Sequence, residues 1–211
     1  GSVGERHLLA GGANESIYQP QWSPEGVLHF ISDRTGWWNL YRWRDNQVEA
    51  LCPMAAEFGQ PQWAFGGSLY GFASERQIVC SYTRNGIDYL AALDTEAKAL
   101  RAIELPYSAI SQVRVAADRV VFIGASAIET SAVVASDLST DKLEVLRRSR
   151  QTGVDAGYLS EARAVEFPTE QGLTAHGYFY PAKNRDYAPP ANEKPPLLVM
   201  SHGGPTSSSS G

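Results

Sequence analysis

No stretch of this chain approaches the ~18 uninterrupted apolar residues of a membrane-spanning helix, so no membrane partner is expected. Basic runs are missing too. The closest is Arg147-Arg148-Ser149-Arg150, and the net charge is -5. Phosphate contacts need a basic face, so nucleic acid is not an expected partner. Cysteine is scarce. Cys52 and Cys80 are the only two, with no CxxC pair and no disulfide framework, which points to free thiols in a reducing, cytoplasmic compartment. No signal peptide is visible at Gly1-Ser2-Val3-Gly4. His7, His29 and His176 are far apart and lack ligand spacing, so no metal is expected, and no cofactor motif is present. Acidic residues are scattered, with no pair placed for acid–base work. Finally, the sequence contains no Gly-x-Ser-x-Gly, the elbow on which a serine nucleophile is usually carried.

What is present is a β-rich repeat. Hydrophobic residues make up 43% of the 211 residues, enough for one large domain or two small ones. Gln19-Pro20-Gln21-Trp22-Ser23-Pro24-Glu25-Gly26 is echoed by Gln60-Pro61-Gln62-Trp63-Ala64-Phe65-Gly66-Gly67 and, more weakly, by Ser111-Gln112-Val113-Arg114-Val115-Ala116-Ala117-Asp118. The interval from Pro20 to Pro61 falls within the roughly 40 to 50 residues of a β-propeller blade. Ser23-Pro24-Glu25-Gly26 suits a type I turn, with Pro where φ must be near −65° and Gly at the fourth place. Around it the spacing predicts strands over 18–22, 27–31, 37–43 and 47–51. Residues 27–31 are apolar on both faces, as a sheet sandwiched between two others requires. The second repeat predicts strands over 68–73, 78–83, 88–93 and 99–105. The third predicts 113–116, 119–123, 131–136 and 142–146. Residues 94–100 have helical propensity, but their flanks alternate with period 2, which predicts a hairpin turn. Residues 6–12 read as the outer strand of a preceding blade.

The texture changes after residue 153. Residues 162–168 and 174–180 are predicted strands joined by a Thr169-Glu170-Gln171-Gly172 turn. A proline-rich loop over 181–196 then leads to a predicted strand, Leu197 to Ser201, and to His202-Gly203-Gly204-Pro205. The expected fold is mainly β: a partial β-propeller of about three four-stranded blades over residues 1–154, then 155–211 as linker and first strands of an α/β-hydrolase domain. Three blades cannot close a ring, since propellers typically have four to eight. Unpaired surface is therefore expected at both ends, driving self-association or pairing with a missing remainder.

These residues resemble the prolyl oligopeptidase family of serine peptidases, in particular its acylaminoacyl-peptidase and dipeptidyl-aminopeptidase-like branch. The resemblance rests on Gln21 to Gly26, on Ser32-Asp33-Arg34-Thr35-Gly36-Trp37-Trp38-Asn39-Leu40-Tyr41-Arg42, and on Pro195 to Pro205. It implies a propeller capping a hydrolase domain and restricting access, so that short peptides are hydrolysed by acyl transfer to a serine. It also implies that Gly203 or Gly204 gives a backbone N–H to the oxyanion hole, with His202 and Pro205 shaping the loop. Glycine suits that place, because a side chain would block the oxyanion's approach to the bare N–H. The nucleophile implied by the family is absent from these 211 residues, and adjacent Ser201 and His202 have poor geometry for a relay. The chain alone is therefore expected to be inactive. Two other readings remain open at this point. One is a non-catalytic propeller scaffold. The other is a carbohydrate-binding module using Trp37 and Trp38, against which stands the plainer role of aromatic packing between blades.

Overall fold

The computed structural model describes residues 4–62, 65–116, 118–151 and 153–203. Trp63, Ala64 and Ala117 of the predicted repeat, and Gly204 and Pro205 of the glycine loop, lie outside the described residues. Among those described there is no α-helix, only strands and two short 3₁₀ turns. The first sheet runs in chain order through β1 (Ile17–Trp22), β2 (Leu28–Ser32), β3 (Asn39–Arg44) and β4 (Gln47–Ala50). The second contains β5 (Tyr70–Phe72), β6 (Gln77–Arg84), β7 (Ile87–Asp94) and β8 (Ala99–Ile103). The third contains β9 (Ala109–Ala116), β10 (Arg119–Ala125), β11 (Ala132–Asp137) and β12 (Leu143–Arg148). Each is an antiparallel meander of four strands, the build of a propeller blade. A separate hairpin pairs β13 (Arg163–Pro168) with β14 (Thr174–Phe179).

Turn chemistry explains where strands stop. The Gly26 N–H donates to the Ser23 carbonyl at 2.9 Å, and Gly26 sits at φ +78°, a conformation free of strain only for glycine. Asp94 closes the β7–β8 turn. Its carboxylate accepts from the Glu96 and Ala97 N–H groups at 2.9 and 2.7 Å. That side-chain cap favours a turn over the helix that residues 95–98 would otherwise prefer.

Side-chain alternation explains the packing. On β6, Ile78, Cys80 and Tyr82 enter the seam with the first sheet, whereas Val79 enters the seam with the third. On β7, Ala91 and Leu93 face the first seam, and Leu90 and Ala92 the second. Both faces of the middle sheet are thus buried, as the period-2 geometry of a strand permits. β2 behaves similarly, with His29, Phe30, Ile31 and Ser32 all buried.

Two innermost strands carry the same irregularity. Gln19 in β1 and Gln112 in β9 adopt φ of +47° and +56°, and each lies at a break in strand register. A left-handed conformation costs a non-glycine residue about 1–2 kcal/mol. Gln19 offsets that cost across the seam. Its side-chain amide donates to the Tyr70 carbonyl at 2.8 Å and accepts from the Leu69 N–H at 2.7 Å. The Tyr70 hydroxyl in turn donates to the Gln19 carbonyl at 2.9 Å.

Three expectations are corrected. Residues 6–12 form no strand; the only pairing there is an isolated bridge from Gly12 to Glu15. Leu197 to Ser201 form none either, and Leu197 to Met200 are 75–83% exposed. In both places the apolar sequence suits a strand, but no ladder partner lies beside it among the described residues, and a strand persists only through pairing. The second copy of the motif is also displaced. Gln60, Pro61 and Gln62 are irregular, and β5 begins only at Tyr70. The similarity to β1 is therefore one of letters and not of place in the blade.

His29 gives the molecule a pH dependence. Its Nδ1 lies 3.0 Å from the Val27 carbonyl, which requires the proton there, and the buried Nε2 has no hydrogen-bond partner among the described residues. Burial, aided by the charge of Arg42, lowers its pKa below the ordinary 6.5. Below pH 6.5 the unfolded chain therefore binds more protons than the folded one, and stability falls as pH drops towards the folded pKa. The slope this one proton contributes is at most about 1.4 kcal/mol per pH unit. Urea midpoints at pH 7.5 and pH 5 measure it. His29→Gln should flatten the difference, and an unchanged difference would assign the effect to other groups.

Candidate functional site

The β13–β14 hairpin sits against the ends of the second and third sheets, and one glycine turn receives it. Asn85 and Gly86 join β6 to β7 at φ +52° and +74°, the paired positive values of a type I′ turn. The Tyr178 hydroxyl on β14 donates to the Gly86 carbonyl at 2.5 Å. No side chain fits at Gly86, because a Cβ there would collide with the Tyr178 oxygen. Beside this junction lies a cavity of about 260 Å³, walled by Ile87, Pro106, Ile128, Ala162 and Ala164 among others. The chain leading in and out of the hairpin is also tied. Ser160 donates to the Pro181 carbonyl at 2.6 Å, and Arg185 pairs with Asp155 at 2.6 Å.

Beyond the hairpin the chain runs exposed to the glycine loop. His202 is exposed, with its Nδ1 3.4 Å from the Gly203 carbonyl. A Cβ built at Gly203 would meet nothing within 4 Å. The backbone at Gly203 is exposed. Gly204 and Pro205 lie outside the described residues. No hydrogen bond joins Ser201 to His202 among the described residues.

A second concavity had no signal in the sequence. A cleft of about 350 Å³ opens on the seam between the first and second sheets, with Trp38, Glu57, Tyr82 and Asp88 in its wall. Both carboxylates are engaged within the protein. Glu57 accepts from the Trp38 N–H at 2.9 Å; Asp88 accepts from the Thr83 hydroxyl at 2.6 Å and from the Ile110 N–H at 2.8 Å. Burial raises the Asp88 pKa above the ordinary carboxylate value. Such bonded carboxylates brace the connections of three sheets. The two tryptophans divide. Trp38 packs edge-on to Tyr18 against the first seam, whereas Trp37 is exposed.

Meanders stacked face to face through shared apolar seams define a segment of β-propeller, here followed by a β-hairpin and an exposed stretch as far as Gly203. Comparison with solved structures makes this specific. The chain is similar to a puromycin hydrolase, at 32% sequence identity and a TM-score of 0.85, over 94% of this chain and 30% of that one. It is also similar to a puromycin-hydrolyzing peptidase of Mycobacterium tuberculosis, at 32% identity and a TM-score of 0.81 over 89% of this chain. Prolyl oligopeptidase B from Galerina marginata shares the fold at 12% identity, with a TM-score of 0.60. The resemblance to the prolyl oligopeptidase family read from the residues therefore holds in three dimensions. The chain spans about 30% of the length of the puromycin hydrolase it matches. No protein-family model and no curated protein sequence matches it.

Proposed function

We propose that this chain is part of a cytoplasmic serine exopeptidase or oligopeptidase that hydrolyses short peptides by acyl transfer to a serine and then to water. The likeness to puromycin hydrolase over 94% of the chain carries this reading. Residues 1–154 are its propeller part, restricting access to peptides short enough to pass. Residues 155–211 are the linker and first strands of the hydrolase part. Gly203 or Gly204 supplies one N–H of the oxyanion hole, and His202 and Pro205 hold the loop. The two unpaired thiols, Cys52 and Cys80, suit a reducing compartment. A scaffold would leave the hairpin and the glycine loop without purpose. Exposed apolar surface favours self-association or pairing with further chain.

Two measurements test this. Alone, the chain should turn over no aminoacyl or dipeptidyl chromogenic amide, because it contains no nucleophile elbow; hydrolysis titratable by an active-site serine reagent would refute that. Exchanged for the matching segment of a puromycin hydrolase, it should leave peptide hydrolysis intact. In that chimaera Gly203→Pro or Gly204→Pro removes a backbone N–H. Whichever glycine is the donor should lose roughly 10²–10³ in kcat when replaced. Full activity in both variants would remove the loop from the oxyanion site.

A further inference from the structure

Asparagine occurs six times in the chain, and only Asn85 is followed by glycine. The fold places this pair at the crown of the β6–β7 hairpin, as the two residues of its turn. The Asn85 side chain is exposed. Among the described residues its amide makes no hydrogen bond, and neither does the Gly86 N–H. The Gly86 carbonyl, in contrast, is committed. It accepts the Tyr178 hydroxyl that ties the β13–β14 hairpin to the turn.

An asparagine amide carbon and the next backbone nitrogen are spaced to close a five-membered ring. The Gly86 nitrogen gives up its proton to solvent base and bonds to Asn85 Cγ. The Cγ–Nδ2 bond breaks, and the amine takes up a proton and leaves as ammonia. The cyclic imide then adds water. Opening at one carbonyl leaves aspartate. Opening at the other leaves isoaspartate, in which the main chain runs through Cβ and Cγ. The sum is water in and ammonia out. A side chain on the attacking residue hinders the ring closure, and glycine has none.

We propose that Asn85 is a site of spontaneous modification, and that its conversion unlatches the β13–β14 hairpin as the protein ages. Isoaspartate adds a carbon to the main chain of a two-residue turn, which displaces the Gly86 carbonyl from the Tyr178 hydroxyl. The junction has no slack to absorb this, since even a Cβ at Gly86 would collide with the Tyr178 oxygen. β6 and β7 are paired at eight positions, so the sheet itself survives the change. The docked hairpin also restrains the turn that ring closure must twist, so losing the Tyr178 hydroxyl speeds the reaction.

Ageing the 211-residue chain at 37 °C, at pH 6 and at pH 8.5, tests this by peptide mapping and by labelling with an isoaspartyl methyltransferase. Asn14, Asn39, Asn46, Asn184 and Asn192 all precede residues with side chains. Asn85 should convert roughly tenfold or more faster than any of them. Conversion should be faster at pH 8.5, where the attacking nitrogen loses its proton more often. Amide exchange over residues 163–179 should accelerate roughly tenfold or more in the aged protein. It should stay slow in aged Asn85→Gly, whose Gly-Gly pair suits the turn and cannot react. Tyr178→Phe should hasten conversion about twofold or more. Conversion no faster at Asn85 than at the other asparagines, or indifferent to pH, overturns the site. Conversion that leaves the hairpin as protected as in fresh protein, or that Tyr178→Phe does not hasten, overturns the coupling. So does equal loss of protection in aged Asn85→Gly.

Discussion

Tyr70→Ala is expected to destabilise the chain by about 3–5 kcal/mol, the cost of emptying a large aromatic site in a close-packed core. Tyr70 is among the largest of the fully buried side chains. It lies edge-on to Phe72, at a centroid distance of 5.9 Å, and belongs to the seam between the first and second sheets. Its hydroxyl also supports Gln19 in a conformation that glutamine does not favour. Against a total stability of about 5–15 kcal/mol for an ordinary domain, the loss could leave little folded protein at 37 °C. Tyr70→Phe separates the two contributions. It keeps the ring and removes one hydrogen bond, for a loss of about 1 kcal/mol. Urea denaturation of the three proteins measures both steps. Equal losses in the two variants would show that the hydroxyl, not the ring, holds the seam.

Gly86→Ala should release the β13–β14 hairpin while leaving the three sheets folded. Two costs coincide at this residue. Alanine is strained at φ +74°, and its Cβ would occupy the place of the Tyr178 oxygen. Amide exchange over residues 163–179 should accelerate roughly tenfold or more, because the rate of local opening follows the free energy that docks the hairpin. Tyr178→Phe removes only the hydroxyl and should produce a smaller acceleration in the same segment. Exchange in β6 and β7 should stay close to wild type. Protection of the hairpin unaltered in both variants would mean that the walls of the neighbouring cavity, and not the turn, hold it.

Parts of this structure are legible residue by residue. Ser23-Pro24-Glu25-Gly26 announces its turn because proline and glycine restrict φ locally. The turn after β7 is legible from the period-2 alternation of its flanks, and the structure adds the Asp94 carboxylate that caps it. The three meanders follow from such turns and from alternating apolar residues. What depends on remote partners is not legible. Leu197 to Ser201 has the composition of a strand, yet nothing local supplies the neighbour that would make it one. Gln60-Pro61-Gln62 copies Gln19-Pro20-Gln21 without sharing its place, because place is set by the ladder. Gln112 shows no intrinsic preference for its left-handed φ, so only the fold reveals it. The site divides in the same way. His202-Gly203 is conspicuous as a motif, whereas the cleft of Trp38, Glu57, Tyr82 and Asp88 is assembled by two sheets from residues with no common spacing.

The middle sheet has no side of its own. Ile78 and Val79, neighbours in sequence, belong to different seams, and the same holds for Leu90 and Ala91. Whatever loosens one seam must shift strands that also wall the other. The three sheets are thus bound into one cooperative unit, in which damage at the Gln19 edge is felt at the Gln112 edge. A repeat that looks modular in sequence is, in free energy, a single body.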